Sequence, residues 1–278
     1  MRKQPILFSG IAFGLLLLGI PGCNTVPVTG RTAINMVSDE YVIKESIRQF
    51  DLMKSQYPLS KNLGYIKMVR EVGEKVIAAA STDIYLTEWE FLVFENPSIF
   101  NAFAMPGGKI GVFTGLFKAV KTDGELAIVI GHEIAHMTAK HVNERLSKQK
   151  LSQAGRVGLA IITSGQSSLV QGAILDTYGL GCSMGGLGFN RKMEKEADEI
   201  GLIYAARAGY NPTAAYALWE RILAENSNLA LSKPLSTHPS YLTRIRNLRE
   251  AMPEAIEEYE ITQSSVHKTN HMEGIIIQ

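Results

Sequence analysis

The sequence predicts an α+β fold that is predominantly helical. Apolar residues recur at helical spacing over most of the chain, whereas β-forming residues concentrate in two short runs, residues 89–94 and 109–114. With 278 residues, 46% of them hydrophobic, the chain is long enough for one domain with a full-sized core. Its net charge of +1 gives no basic surface for nucleic acid, so we expect no nucleic-acid partner.

Residues 1–22 predict a lipoprotein signal peptide. A short positive region precedes an apolar run over residues 6–20, which is shorter than the roughly 20 residues that cross a bilayer. The residues IPGC, ending at Cys23, are similar to a bacterial lipobox and predict cleavage before Cys23 and lipidation of its thiol. An uncleaved short anchor is the alternative. Asn24 favours the outer membrane over the inner one, so we expect the periplasmic side of the outer membrane.

The segment after the cysteine predicts a connection followed by two helices. Residues 23–37 carry Pro, Gly and Thr and are predicted to form a lipidated tether. A first helix is expected to begin at Ser38 and to end before Pro58. A second amphipathic helix is expected from about Leu59 to Ala80.

The two β-forming runs, WEFLVF and KIGVFT, predict a small sheet. A Pro-Gly-Gly turn at residues 106–108 precedes the second run. An exposed edge strand can pair with an extended peptide, so this run is a candidate substrate strand. A merely structural hairpin is equally compatible with the sequence. The residues expected to contact substrate are Lys109, Ile110, Gly111 and Val112.

The motif GHEIAHMTAKH lies on the next predicted helix, which Thr122 begins in capping-box spacing. His132 and His136 are four residues apart and therefore share one helix face, where both imidazoles can bind one zinc ion. Glu133 lies beside that point without being a ligand, which is the H-E-x-x-H arrangement of zinc proteases. The alternative is a helix with two surface histidines. His141 falls on another face of a continuous helix and is expected to be structural.

The segment RKMEKEAD supplies the carboxylates that a catalytic zinc still needs. Such an ion takes three protein ligands and keeps one position open, and Glu194 is the natural third ligand. Asp198, one helical turn later, can accept the second ring N–H of a ligating histidine. Glu196 is expected to be solvated. A plain charged helix face is the alternative. The predicted content is one Zn²⁺ per chain.

The remaining segments are less informative. Residues 151–188 predict one or two helices and a glycine-rich loop, either a lid near the site or a core helix pair. Cys182 in this stretch is expected to be a small core residue. The domain is predicted to span residues 38–255, with a polar, disordered C-terminal tail over 256–278.

Five segments together resemble the zinc metallopeptidase family of HtpX, the CAAX prenyl protease and BepA, and the lipobox makes the LoiP-like lipoprotein members the most similar. They lie in the expected order between about residues 25 and 250 and read NAFAMPGGKIGVFTGL, GHEIAHMTAKH, RKMEKEADEIGL, AGYNP and STHPSYLTRI. The resemblance implies a gluzincin-type domain. It also implies that His238 donates a hydrogen bond to the oxyanion of the reaction, or instead binds the zinc as a fourth ligand. Arg244 would hold His238 or neighbouring carboxylates.

The resulting expectation is a membrane-tethered zinc endopeptidase with Glu133 as its general base. The resemblance implies protein substrates of the bacterial cell envelope, misfolded or misassembled, while an envelope-assembly partner stays unknown. The alternative is a zinc-stabilised chaperone or adaptor that does not cleave proteins.

Overall fold

The computed structural model describes residues 22–84, 88–157, 189–228 and 241–273. The expected α+β, predominantly helical fold is confirmed. Within these ranges, five short strands form two small sheets: β1 (Cys23–Thr25), β2 (Thr32–Ile34), β3 (Glu90–Phe94), β4 (Ala102–Met105) and β5 (Lys109–Phe113). The helices in the described ranges are α1 (Asp39–Gln56), α2 (Leu63–Ala79), α3 (Asp123–Thr138), α4 (His141–Val157), α5 (Arg191–Arg207), α6 (Ala214–Asn228) and α7 (Tyr241–Glu273). None of these helices is both long and apolar enough to span a bilayer.

The first two helices begin and end where side chains and proline dictate. The Ser38 hydroxyl caps α1 by accepting from the Tyr41 N–H, and α1 stops before Pro58, as expected. Helix α2 begins at Leu63, later than predicted, because the Asn62 carboxamide caps it. Before Asn62 the chain runs alongside strand β3, with which Leu59 forms a bridge.

The three-stranded sheet corrects the expected substrate strand. Its order is β3-β5-β4, with β3 parallel and β4 antiparallel to β5. Strand β5 is therefore central, and both of its edges are already paired. The prediction that Lys109, Ile110, Gly111 and Val112 form an exposed edge strand is wrong. The sequence hid β4, because its four residues AFAM are too few to show a strand period and precede a tight turn with positive φ at Gly107 and Gly108.

Residues 23–37 are not an extended tether. Strands β1 and β2 pair in antiparallel fashion into a hairpin, which we call the N-terminal hairpin. Val26 and Ala33 from this hairpin are 1% exposed and belong to the main core cluster, and Val37 is also buried. The Pro, Gly and Thr content that suggested a linker serves the hairpin turn instead, so this segment is packed as part of the domain.

The predicted C-terminal tail is also corrected, because α7 continues through it to Glu273. Ala255 is fully buried, and Glu258 accepts from the Arg207 guanidinium at 2.5 Å. Further along, the Gln263 amide donates to the Gly209 carbonyl at 3.4 Å. As far as Gln263, this segment is therefore a helix packed on the domain.

Helices α3 and α5 cross with their backbones in contact, and this crossing positions the functional site. A Cβ atom placed on Gly131 would lie 2.5 Å from the Gly201 carbonyl oxygen. A Cβ atom placed on Gly201 would lie 2.5 Å from the His132 amide nitrogen. The two backbones can approach this closely because both positions are glycine and carry no Cβ atom. Because Gly131 directly precedes His132, the crossing brings the histidine helix against the carboxylate helix.

Candidate metal centre

A side-chain cap fixes the start of α3. The Thr122 hydroxyl accepts from the Glu125 N–H at 3.2 Å, as the capping-box spacing predicts. The Glu125 carboxylate does not complete the box. It accepts instead from the Lys121 N–H at 2.6 Å and from Arg221 at 2.8 Å. The first turn of the helix that carries both histidines is thus held by contacts with Thr122, Lys121 and Arg221.

The structure brings His132, His136 and Glu194 together as a buried triangle. The two Nε2 atoms lie 3.1 Å apart, and each lies 3.5 Å from a Glu194 carboxylate oxygen. Zinc–ligand bonds are about 2.0–2.1 Å long, so tetrahedral ligand atoms lie about 3.3–3.4 Å from one another. The spacing and donor types of the triangle therefore fit a metal ion of this size.

Charge at the site also favours a cation. Glu133, Glu194 and Asp198 are each at most 4% exposed, which places three carboxylates in one buried region. Burial and the nearby Arg244 charge both lower the pKa of His132, but hydrogen bonds to Asp198 and Glu194 outweigh them and raise it to about 9. Buried negative charge that stabilises a positive imidazole would equally stabilise a divalent metal ion.

The second ring nitrogen of His132, Nδ1, lies next to Asp198, as the sequence predicts. His132 Nδ1 lies 3.1 Å from Asp198 Oδ1. The same oxygen accepts from Arg244 Nε at 2.9 Å and from Nη2 at 2.6 Å, while Asn247 Nδ2 donates to Oδ2 at 3.4 Å. Arg244 is buried and thus holds a carboxylate beside the metal triangle, which is one of the two roles that the resemblance implied. Such partners fix the ring orientation of a metal-binding histidine.

Two aromatic side chains at the site were not found by sequence reasoning. The Arg244 guanidinium lies 4.2 Å from the centre of the Trp219 ring, a cation–π contact between α7 and α6. The Phe189 ring stacks on the His136 imidazole, with centroids 3.9 Å apart and planes 14° from parallel. Both residues lie far in sequence from their partners, so no local pattern pointed to them.

The expectation that Glu196 is solvated is wrong. Glu196 is 5% exposed, and its carboxylate accepts hydrogen bonds from His141, Arg31 and Thr29. Burial by itself would raise the pKa of Glu196, but these hydrogen bonds outweigh it and lower the pKa to about 2. Arg31 comes from the N-terminal hairpin, 165 positions away along the chain.

His141 does not lie on another face of the α3 helix, because α3 ends before it. The helix stops at Thr138, and Lys140 adopts a positive φ of 55°, which redirects the chain into α4. His141 begins α4 fully buried, with its Nδ1 2.8 Å from His136 Nδ1. Burial lowers the pKa of His141 in spite of its carboxylate neighbours.

Some predicted residues are not placed. His238, Cys182 and most of residues 151–188 lie outside the described ranges, as do residues 1–21. Cys23 is an exposed free cysteine at the start of β1.

An H-E-x-x-H helix whose third ligand comes from a second helix defines the gluzincin class of metallopeptidases, and the fold and site place this chain in that class. Residues 66–252 match peptidase family M48, and the chain belongs to that family.

Relatives of the chain occur in mitochondria and in bacteria. The chain is 33% identical over 252 residues to the mitochondrial metalloendopeptidase OMA1 of Schizosaccharomyces pombe, a match that covers 88% of this chain and 70% of the relative. The corresponding protein of Arabidopsis thaliana is 40% identical over 188 residues, which cover 67% of this chain and 36% of the relative. The beta-barrel assembly-enhancing protease of Yersinia pestis is 28% identical over 203 residues, 71% of this chain and 41% of that protein. The chain thus spans well under half the length of two of these relatives.

Proposed function

We propose that this metallopeptidase is a zinc endopeptidase that cleaves proteins of the bacterial cell envelope, as quality control of misfolded or misassembled proteins. The observation that carries the proposal is the buried triangle of His132, His136 and Glu194 with Glu133 on the same helix. A binding module would gain no benefit from a buried carboxylate that is not itself a ligand at this position.

The chain's own residues supply the proton chemistry. Zinc, when bound by the triangle, supplies a Lewis acid that polarises the peptide carbonyl and lowers the pKa of a water molecule towards about 7. Glu133 accepts the proton of the attacking water and returns it to the leaving amine. His238, by resemblance, donates a hydrogen bond to the oxyanion. Asp198 and Arg244 hold His132 in place.

Envelope proteins are proposed as substrates on the strength of one relative. The Yersinia pestis protein is named a beta-barrel assembly-enhancing protease, and the match to it covers 71% of this chain. A comparison of envelope protein fragments between cells that carry the wild-type chain and cells that carry Glu133→Gln tests this proposal. Fragments that vanish in the variant identify the substrates. Identical fragment patterns would contradict envelope proteolysis and favour a chaperone or adaptor role.

We further propose that a lipid on Cys23 tethers the chain to the periplasmic side of the outer membrane. The exposed position of Cys23, at the very start of the N-terminal hairpin, leaves its thiol accessible to modification. Cys23→Ser should move the protein from the membrane fraction to the soluble fraction. Cys182→Ser, which alters the other cysteine of the chain, is the matched control and should leave fractionation unchanged. Membrane association of Cys23→Ser equal to that of wild type would refute the lipid tether.

A further inference from the structure

A continuous line of hydrogen bonds runs from the metal triangle to the N-terminal hairpin. His136 Nδ1 lies 2.8 Å from His141 Nδ1, and His141 Nε2 lies 2.9 Å from Glu196 Oε2. Arg31 then donates to both Glu196 oxygens, from Nε at 2.8 and 3.0 Å and from Nη2 at 2.6 Å. The Thr29 hydroxyl donates to Glu196 at 2.8 Å. His136, His141 and Glu196 are all at most 5% exposed, so water does not compete for these bonds.

When His136 binds a metal ion through Nε2, the donor and acceptor roles along this line leave one consistent arrangement of protons. An ionised carboxylate only accepts, so His141 Nε2 must carry a proton and donate it to Glu196. A metal ion held by a neutral His136 through Nε2 would leave the proton of that ring on Nδ1, so a neutral His141 must present its Nδ1 lone pair to it. His136 Nδ1 must then donate to that lone pair. The remaining lone pair of His136 is on Nε2, the atom that faces Glu194 at 3.5 Å.

Arg31 anchors this line at several points. Besides Glu196, its guanidinium donates to both oxygens of Glu144, from Nη2 at 2.7 Å and from Nη1 at 3.3 Å. Glu144 lies on α4, three residues after His141, so one arginine holds the carboxylate of α5 and the helix that carries His141. A related pair lies at His132, where Arg244 donates to Asp198 and its Nη2 also lies 2.8 Å from His132 Nδ1. In each case an arginine from a distant element holds a carboxylate of α5.

We propose that Arg31, Glu196 and His141 are positioning residues that fix the tautomer and ring orientation of His136, so that the N-terminal hairpin forms part of the metal site. The inference rests on the proposed zinc ligands. It predicts that a change in the hairpin, far from the ion, alters metal binding. Loss of such outer contacts typically weakens metal binding by about 10–100-fold.

Metal affinity of the purified full-length chain is the direct test. Zinc binding is measured by competition with a chromophoric chelator, and Co²⁺ substituted at the site is followed by its visible absorption spectrum. We expect Arg31→Gln and Glu196→Gln each to weaken zinc binding by about 10–100-fold and to change the Co²⁺ spectrum. Arg31→Lys keeps the charge but not the fork of donors, so it should recover part of the affinity.

A matched control separates positioning from general stability. Arg207→Gln also removes a half-buried arginine–carboxylate pair, the one with Glu258 at 2.5 Å on α7. Its zinc affinity and Co²⁺ spectrum should equal those of wild type. Melting of each metal-free variant reports whether the fold is retained. If Arg31→Gln does not fold, Arg31→Lys carries the test, and wild-type affinity in that variant overturns the inference.

Failure of the inference is distinguishable from failure of the proposed site. Glu194→Gln removes a proposed ligand and should abolish tight zinc binding; wild-type affinity there would overturn the site itself. Weak binding in Glu194→Gln together with wild-type affinity and spectrum in Arg31→Gln would overturn only the role of the N-terminal hairpin. An equal loss in Arg207→Gln and Arg31→Gln would do the same.

Discussion

Gly201→Ala tests whether backbone contact between α3 and α5 assembles the metal site. The added Cβ atom would lie 2.5 Å from the His132 nitrogen and 2.7 Å from both the Gly131 carbonyl carbon and the His132 Cα. Ordinary carbon contacts are about 3.5–4.0 Å, so the two helices must separate by about 1 Å. All three atoms are backbone, which cannot rotate away as a flexible side chain would.

Two opposing effects of Gly201→Ala determine the change in the free energy of unfolding. Alanine is favoured over glycine inside a helix by up to about 1 kcal/mol, whereas overpacking a tight contact costs about 1–3 kcal/mol. We expect a net loss of about 1–2 kcal/mol in the free energy of unfolding. The same separation should displace Glu194 from the histidines and weaken zinc binding. We expect this loss to be a larger factor than the change in the unfolding equilibrium, because a shift of about 1 Å is large compared with metal–ligand bonds of about 2 Å.

Gly124→Ala is the matched control, since it makes the same substitution in α3 where space exists. Its Cβ atom would lie 3.4 Å from the Ala214 Cβ, an ordinary contact. Denaturant unfolding in chelator and zinc titration of both variants measure the two effects. Gly124→Ala should be neutral or slightly stabilising and bind zinc normally. Equal stability and equal zinc affinity of Gly201→Ala and Gly124→Ala would refute the reasoning.

Three further predictions follow from individual contacts. Asp198→Asn should weaken zinc binding by about 10–100-fold, as measured by chelator competition, because a carboxylate that orients His132 is lost; unchanged affinity would contradict this role. Thr122→Ala should lower the free energy of unfolding by about 1 kcal/mol in denaturant titration, while folded protein keeps its zinc; no change would show that the cap contributes nothing. The pKa of Glu196 is lowered from 4.5 to about 2, so its contribution to stability is present above pH 4.5 and is lost as pH falls through 2. In chelator, the stability difference between wild type and Glu196→Gln should therefore shrink over that range, by on the order of 3 kcal/mol, and a constant difference would contradict the lowered pKa.

The central part of the site could be predicted from the sequence because its residues are close in the chain. A spacing of four residues places His132 and His136 on one helix face, and the same spacing relates Glu194 to Asp198. The period of a helix alone therefore brings each pair together. Joining the two helices needed a further element, the contact between glycines 131 and 201, which no periodicity reveals.

The rest of the site depends on contacts that no local pattern encodes. A continuous α3 would carry His141 on another face, but the positive φ at Lys140 ends the helix before that residue. The sequence predicts a solvated Glu196 because its main cation, Arg31, is 165 positions away. The sequence predicts β5 as an edge strand because the four residues of its partner β4 are too few to show a strand period. In each case a distant or very short element decides the environment.

The most direct test of the account is the metal content and proteolytic activity of Glu133→Gln. The substitution keeps the size and shape of a side chain that is 4% exposed, and it leaves all three proposed ligands in place. The purified variant and wild type are compared for zinc per chain and for cleavage of an unfolded protein such as casein, with and without chelator. We predict one zinc per chain in both proteins, cleavage that chelator abolishes in wild type, and no measurable cleavage by the variant. Undiminished cleavage by zinc-loaded Glu133→Gln would contradict the account.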